Sequence, residues 1–258
     1  MPLKRVLLLL AIIAVSLLAT TRDSSAQTAN FSFDDMNGQA DAGIYPAGWS
    51  FTIAINLSFA PGGNVANLVG LSYWFEQMSP LAPFYFSITN RDATGSQFSF
   101  LQTPGLTYPQ SLAPANPKDL GATTPDFTGV GAGNYFIANL TVKIDPLATP
   151  GTYIIESTSS GGKTSVISDD QGHIFPIPKT TYTVTVVPFA ITSIAPTTQG
   201  ILLQGMGVPN VVNRIEASPD LSPNSFQSLT SFTPDSTGAF SFEDDSAGTR
   251  KFYRLVYP

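Results

Sequence analysis

Few residues of this chain can carry acid–base or metal chemistry. The 258 residues include a single histidine, His173, and no cysteine. A Ser-His-Asp triad would have to use His173, which follows a turn at 169–172 and is expected on the surface of a hairpin. Metal sites that need several imidazoles or thiolates are excluded by this composition.

The glutamates do not form an evident pair for glycoside hydrolysis. They are widely spaced along the chain, at Glu76, Glu156, Glu216 and Glu243. Hydrolysis of a glycosidic bond needs two carboxyl groups that face each other across a cleft, and no spacing brings two of these together. We therefore expect a protein without catalytic residues, and we keep an unrecognised weak hydrolase as an alternative.

An acidic cluster near residue 38 has the oxygen ligands that calcium prefers. It consists of Asp34, Asp35, Asn37 and Asp41. The spacing of these residues does not match that of an EF-hand loop. We favour a solvated acidic turn and keep a calcium site as the alternative; no other cofactor is expected.

Trp74 is the residue whose position most suggests ligand binding. An alternating apolar series that ends at Tyr73 and Phe75 is expected to face a core, so Trp74 and Glu76 should lie on the opposite face. An exposed indole beside a carboxylate can stack on a sugar ring and accept hydrogen bonds from its hydroxyl groups. The alternative is an ordinary aromatic residue that loops or a second module cover.

Two tyrosines complete this candidate carbohydrate site. Tyr45 and Tyr85 are the expected neighbours of Trp74, and Glu76 is the expected polar partner. The site would make the chain a carbohydrate-binding module, with an extracellular polysaccharide as its partner. A role in adhesion or scaffolding, with another cell-surface protein as the partner, does not need Trp74 to be exposed.

Alternating apolar and polar residues predict an all-β fold that would position these side chains. The odd-numbered residues from 49 to 59 are all large and apolar, and the even-numbered ones are small or polar. This period of two indicates a long half-buried strand. Similar shorter runs predict roughly eight or nine strands in two packed antiparallel sheets. The segment 101–130 is rich in Pro, Gly, Asn and Thr, so we expect long loops there.

A boundary near Pro188 divides the mature chain into two predicted modules. Residues 27–188 form the first module, an antiparallel β-sandwich. Residues 189–258 contain roughly five short apolar runs and form the second module, a smaller β-sandwich. A module of that size is close to the lower limit for a core that is stable without disulfides.

The first module resembles the cohesin and cellulose-binding sandwich superfamily. Residues 47–49 (Ala-Gly-Trp) open the long strand, and 69–73 (Val-Gly-Leu-Ser-Tyr) resemble the strand that leads into the family's Tyr-Asp-Pro motif. Residues 139–144 and 149–153 are similar to its late pair of strands. The resemblance covers most of residues 28–188 and implies a cohesin-like β-sandwich.

The second module resembles a C-terminal β module found on secreted bacterial proteins. A Gly-x-Pro turn at 207–209 precedes a strand, and the chain ends in Phe-Tyr-Arg at 252–254. Phe226 stands where such modules usually carry tryptophan. The resemblance implies a fibronectin-like accessory module and not an enzyme.

The first 26 residues have the three-part layout of a bacterial secretion signal. Lys4 and Arg5 precede an apolar run at 6–19, and small residues at 24–26 form a cleavage site. The run is shorter than the ~20 residues that span a bilayer. Cleavage would remove three basic residues and one acidic residue, so the net charge of −6 would become −8.

These observations predict an exported, non-catalytic protein that acts in binding, adhesion or scaffolding at the cell surface or outside the cell. The acidic balance argues against nucleic acid and anionic lipid as partners, because both require a basic surface. We expect no membrane attachment after cleavage of the signal.

We predict that the exported protein begins at Gln27. Intact-mass measurement of protein recovered from the exporting host should give the mass of residues 27–258, with or without cyclisation of the N-terminal glutamine. A mature protein that still carries residues 6–19 would contradict the predicted signal peptide.

Overall fold

The computed structural model of the protein describes residues 27–35, 41–62, 67–80, 82–101, 108–113, 119–158, 163–246 and 251–257. The predicted signal peptide at 1–26 and Asn37 lie outside these residues. Nearly all regular structure in the described part is β-strand, which confirms the all-β fold class. Within it, no helix is long and apolar enough to cross a membrane.

The strands of the first module follow one another in short steps. In chain order they are β1 Thr28–Asp35, β2 Ala42–Pro46, β3 Ser50–Ala60, β4 Leu68–Ser72, β5 Glu76–Ser79, β6 Phe86–Asp92, β7 Phe100–Leu101, β8 Gln110–Ser111, β9 Ala122–Thr123, β10 Gly133–Ile144, β11 Gly151–Glu156, β12 Val166–Asp169, β13 Ile174–Pro176 and β14 Thr181–Val187. A 3₁₀ turn at Pro125–Phe127 follows β9.

Three sheets enclose the core of the first module. Sheet I has the order β1-β3-β10-β6-β8, sheet II has the order β2-β14-β11-β5, and sheet III has the order β13-β12-β4-β9-β7. The strand pairs are antiparallel except β2 and β14, which are parallel. The prediction of antiparallel sheets alone was therefore wrong at this pair.

The long central strands supply the middle of the core. Ile53, Ile55 and Leu57 on β3 have no solvent-exposed surface, and neither has Leu140 on the neighbouring β10. Since side chains alternate across a strand, the residues between them point out of the sandwich and are polar or small. Burial of each such apolar side chain contributes about 1.5–3 kcal/mol, which makes this row a main source of stability.

The segment 101–130 contains more structure than the sequence predicted. It holds β8, β9 and the turn at Pro125–Phe127, and β7 lies at its start. Each of these strands has two residues, and two residues are too few to show an alternating pattern. The pairing of β9 with β4 and of β7 with β9 widens sheet III by two strands.

The second module consists of two three-stranded sheets. Its strands are β15 Ala190–Pro196, β16 Ile201–Met206, β17 Asn213–Ser218, β18 Gln227–Phe232, β19 Ala239–Asp244 and β20 Phe252–Val256. Sheet IV has the order β15-β16-β19, and sheet V has the order β18-β17-β20. Each of the five sheets in the described residues draws all its strands from one side of Pro188.

The core of the second module is small. Leu203, Val208 and Ile215 are its fully or almost fully buried apolar side chains. The buried amide of Asn213 accepts a hydrogen bond from the N–H of Val208 (3.0 Å) and donates one to the same residue's carbonyl (2.9 Å). This pair of bonds fixes the turn before β17 where few apolar contacts are available.

Three aromatic rings join the two modules. Trp49, which precedes β3, packs edge-on against Tyr257 (ring centroids 5.0 Å apart) and Phe189 (5.9 Å). Burial, together with the carboxylate of Asp35, raises the pKa of the Tyr257 hydroxyl. The contact links the start of the long strand in the first module to the residue after β20.

We predict that the two modules unfold separately. Leu203→Ala removes part of the small second core and should cost about 2–5 kcal/mol there, as large-to-small core changes do. In hydrogen exchange followed by mass spectrometry, residues 190–257 should lose protection while 50–60 and 133–144 keep theirs. Ile55→Ala in the first core is the matched control and should do the reverse. Equal loss in both modules with either variant would contradict two folding units.

Candidate binding face of sheet III

One row of residues crosses all five strands of sheet III on its outer side. The strand register places Ile174 beside Ser168, Ser168 beside Gly70, Gly70 beside Thr123 and Thr123 beside Phe100. Neighbouring strands lie about 4.8 Å apart, so the row spans roughly 19 Å. Gly70 and Thr123 at the centre of the row are buried, and its ends, Ile174 and Phe100, are exposed.

The opposite side of the sheet fixes which way this row points. The adjacent row contains Ile167, Leu71 and Ala122, all buried in the core. Because successive residues of a strand point to opposite faces, Ser168, Gly70 and Thr123 must point outward. A shift of one residue in register would reverse both rows.

The row has large apolar residues at its ends and small residues at its centre. Ile174 is 67% exposed and Phe100 is 64% exposed, although both are large hydrophobic residues. A side chain at Gly70 would begin 2.9 Å from Cγ2 of Thr123, so the centre has no room for one. Phe127, 64% exposed, lies in the turn that follows β9 and has a positive φ of 55°.

Trp74 lies beyond the end of β4, in the phase that the sequence predicted. Leu71, Tyr73 and Phe75 are buried in the core, and Trp74 alternates with them. The indole is half-buried, however, and the ammonium group of Lys163 lies 5.7 Å from the ring centroid. Its Nε1 is buried and has no hydrogen-bond partner within the described residues. The expectation of a bare, exposed ring was therefore wrong.

The sequence predicted that Glu76 lies beside an exposed Trp74, and the structure contradicts this prediction. The chain leaves sheet III after Ser72 and enters sheet II as β5, where Glu76 is fully buried. It lies directly opposite Glu156 of β11, so the sheet brings together two glutamates that their spacing kept apart. Lys179 forms an ion pair with Glu156 (2.8 Å).

The Glu76–Glu156 pair bears on the hydrolase alternative. Opposite residues of an antiparallel pair have Cβ atoms about 4.5–5.5 Å apart, so their carboxyl groups can approach the ~5 Å separation of a retaining glycosidase. Glu76 has no solvent-exposed surface, however, and Glu156 is also buried. The pair as placed has no open side from which a sugar could approach both acids.

The two tyrosines expected beside Trp74 lie elsewhere. Tyr45 is buried in the core, where its ring stacks on Phe51 (4.3 Å), and this contradicts its predicted place on the ligand face. Its hydroxyl lies 3.0 Å from that of Tyr182, and burial and this neighbour raise the pKa of Tyr45. Tyr85 is half-buried and packs edge-on against Tyr153 (5.7 Å).

The acidic residues that lie close together in the sequence make separate contacts in the structure. Asp34 accepts a hydrogen bond from the amide of Asn56 (3.0 Å), and Asp35, buried, accepts one from Tyr45 (3.3 Å). Asp41 accepts the N–H of Phe33 (3.2 Å). In the described residues, no group of three His, Cys, Asp or Glu side chains could hold a metal ion. Asn37 lies outside these residues, and calcium binding stays the untested alternative to an acidic turn.

His173 lies at the hairpin between β12 and β13 and is exposed, as its sequence context predicted. Its Nδ1 lies 2.9 Å from Oδ2 of the buried Asp169, which also accepts the N–H groups of His173 (2.7 Å) and Gln171 (3.0 Å). Within the described residues, no Ser or Thr hydroxyl hydrogen-bonds to the imidazole. The carboxylate shapes the turn and orients a histidine that has no adjacent nucleophile.

The comparisons with known proteins found similarity only in the path of the main chain. No family model and no curated protein matches the chain. Among solved structures, a cohesin module from a Clostridium perfringens family 33 glycoside hydrolase is 10% identical, with a TM-score of 0.41 over 62% of this chain and 98% of that one. The third ScaB cohesin of R. flavefaciens, in complex with a group 1 dockerin, is 12% identical, with a TM-score of 0.40 over 63% and 97%.

A third match is longer and weaker. The full-length major pilin SpaD from Corynebacterium diphtheriae is 12% identical, with a TM-score of 0.32 over 84% of this chain and 49% of the pilin. At these identities and scores we transfer no residue's role from any of them.

We predict that Asp169 stabilises the fold only when it is ionised. Burial alone would raise its pKa, but hydrogen bonds from His173 and Gln171 outweigh burial, so the pKa of Asp169 lies below its ordinary value. A lowered pKa adds stability above the unfolded value of about 3.9, and this stability is lost as the pH falls through the folded pKa.

Urea unfolding of wild type and Asp169→Asn between pH 7 and pH 2.5 measures this contribution. The difference in free energy of unfolding should be largest near neutral pH and should shrink below about pH 4. Asp170→Asn, at an exposed position whose bond from Asn67 the new amide oxygen can still accept, is the control. A difference that is constant with pH would show that the ionised carboxylate has no such role.

Proposed function

We propose that the protein is an exported, non-catalytic binding or scaffold protein of the cell envelope or exterior, and that the outer face of sheet III binds another protein. The observation that carries this proposal is the row from Ile174 to Phe100, with exposed apolar residues at both ends and small residues between them. A second protein would bury the two exposed ends, between which Gly70 and Thr123 are already buried.

The shape of the face favours a protein over a small molecule. Small-molecule sites are concave and enclose most of the ligand, whereas protein interfaces are broad and centred on a few buried aromatic or aliphatic residues. A span of roughly 19 Å with two apolar anchors matches the second description.

Carbohydrate binding through Trp74 is the second candidate. The partly exposed indole favours it, because part of the ring can reach a sugar, whereas its unbonded Nε1 is buried. Stacking on a sugar needs a bare ring face, however, and Lys163 lies over the ring. We therefore rank a polysaccharide partner below a protein partner.

Export and the lack of catalysis belong to the same proposal. The charge and apolar pattern of residues 1–26 supports secretion or display at the cell surface. A histidine without an adjacent hydroxyl and a glutamate pair enclosed by the fold support a role that does not depend on catalysis. The second module would then serve as an accessory module beside the binding sandwich.

We predict that charge at either end of the row prevents partner binding. A photo-crosslinking amino acid at Phe100 should capture a protein from the native exterior, and the same group at Leu147 should not. Leu147 is 80% exposed and lies in the turn between β10 and β11, away from sheet III. The captured protein is then purified, and its binary affinity is measured by calorimetry.

In that assay Phe100→Asp and Ile174→Asp should each weaken binding at least about 30-fold, the effect of losing an interface anchor worth ~2 kcal/mol. Leu147→Asp should leave the affinity unchanged. Equal affinity for all three variants would mean that the partner binds elsewhere. Equal loss in all three would point to nonspecific adhesion and would also contradict the proposed face.

We predict that Trp74→Ala has little effect on glycan binding and a moderate effect on stability. A half-buried ring should contribute about 1–3 kcal/mol to the free energy of unfolding. A glycan array with the mature chain, Trp74→Ala and Trp74→Phe tests the ranking of the two candidates. A polysaccharide that wild type and Trp74→Phe bind but Trp74→Ala does not would replace the protein partner by a sugar.

A further inference from the structure

Two arginines share one buried glutamate on the outer face of sheet V. Arg214 and Glu216 lie two residues apart on β17, and Arg254 lies opposite Glu216 on β20. Ile215, between the first two, has no exposed surface, so the side chains of Arg214 and Glu216 must point away from the core of the second module. The three charged groups therefore form one cluster on the outer side of the sheet.

Glu216 holds each arginine by one edge of its guanidinium group. Nε and Nη2 of Arg214 lie 2.9 and 2.7 Å from Oε1, and Nε and Nη2 of Arg254 lie 2.7 and 2.6 Å from Oε2. The ring of Phe226 supports the second arginine, since its centroid lies 4.2 Å from Cζ of Arg254. These contacts order both side chains in advance, which lowers the entropy that a ligand would lose by fixing them.

The other edge of each guanidinium group is left for a further acceptor. Nη1 of neither arginine has a hydrogen-bond partner among the described residues. The two side chains are 45% and 47% exposed, although Glu216 between them is buried. A guanidinium group presents its N–H donors in a planar fork that matches the two oxygens of a carboxylate. The cluster thus offers donors that are charged, ordered and accessible.

The local charge fits a ligand with a single negative charge. Burial would raise the pKa of Glu216, but hydrogen bonds from Arg254 and Arg214 outweigh burial and hold the pKa below its ordinary value. Two arginines and one ionised glutamate leave one positive charge. The mature chain as a whole would carry −8, which repels a polyanion at long range. A ligand with one carboxylate among neutral groups meets both conditions.

The strand beside the cluster is uncharged and carries hydroxyl groups. On β18, Ser228 lies opposite Glu216 and Ser231 lies opposite Arg214, and both serines are exposed. Their hydroxyl groups form no hydrogen bond with any residue that the structure describes. The large exposed hydrophobic side chains of the described chain all lie outside β17, β18 and β20. This face therefore lacks apolar anchors for a protein, whereas its hydroxyl groups can bond to those of a sugar.

We infer that the outer face of sheet V binds a sugar acid, that is, an oligosaccharide with one carboxylate among neutral sugar units. The two open guanidinium edges would bind the carboxylate, and Ser228 and Ser231 would bond to hydroxyl groups of the neighbouring units. The site goes beyond the proposed protein partner of sheet III, because it gives the second module a ligand of its own. The chain would then attach to a polysaccharide through one module and to a protein through the other.

Titration of the mature chain with a defined sugar acid tests the site. The probe is aldotriouronic acid, a xylobiose that carries one glucuronate, and xylotriose is the neutral control of the same size. In NMR spectra of the arginine side chains, the Nε–H signals of Arg214 and Arg254 should shift with the first sugar and stay unchanged with the second. Acetate should bind at least about tenfold more weakly than the sugar acid, since it brings no hydroxyl groups to the serines.

Substitutions separate recognition by the guanidinium fork from attraction by charge. Arg214→Lys keeps the charge beside Glu216 but removes the open edge, so the dissociation constant from calorimetry should rise at least about tenfold. Lys163→Ala removes a positive charge from the first module and should leave the affinity unchanged. Phe100→Asp should also bind the sugar acid as the wild type does, because it changes only the proposed protein site.

The titration of the wild-type chain decides the question even if a variant is destabilised. Arginine signals that do not move up to about 10 mM aldotriouronic acid would reject the site, since the dissociation constant would then lie beyond the range of a weak sugar ligand. Equal affinity for acetate would indicate an anion site without sugar recognition, and equal affinity for xylotriose would indicate sugar binding without the carboxylate. Either result, or an affinity that Arg214→Lys leaves unchanged, would overturn the inference.

Discussion

The alternation of side chains along β4 is the constraint on which the rest of the first module depends. Leu71, Tyr73 and Phe75 enter the core on one side, and this forces Gly70 and Trp74 to the other. The same alternation continues after Ser72, where the chain leaves sheet III. The short segment 70–75 therefore determines which side chains face the core in sheet III and where the chain enters sheet II. A slip of one residue would exchange the side chains of the two faces.

The sequence predicted the features that depend only on local patterns along the chain. The long strand β3, the outward phase of Trp74 and the hairpin at His173 all follow from alternation or from turn residues close in the chain. It could not predict Phe100 and Thr123 as neighbours of Gly70, because β7 and β9 are too short to show a period and meet β4 only through tertiary pairing. Pairing across strands also created the Glu76–Glu156 contact that spacing along the chain hides.

Burial also contradicted the roles predicted for residues whose chemical type suggested a function. Tyr45 serves the core as a stacked ring beside Phe51, and its hydroxyl is satisfied by Asp35 and Tyr182. A polar group of this kind is retained inside because its hydrogen bonds replace those it would make with water. The row proposed for recognition has large apolar residues at its ends and small residues at its centre. No motif in the sequence predicts this combination.

Hydrogen–deuterium exchange of the mature chain, alone and with its purified protein partner, tests the central claim most directly. The account predicts added protection of the main chain in 68–72, 122–123, 166–169 and 174–176, where the partner would cover sheet III. Exchange in sheet I at 50–60 and throughout 190–257 should stay the same. Protection confined to the second module or to sheet I, with sheet III unchanged, would contradict the proposed binding face.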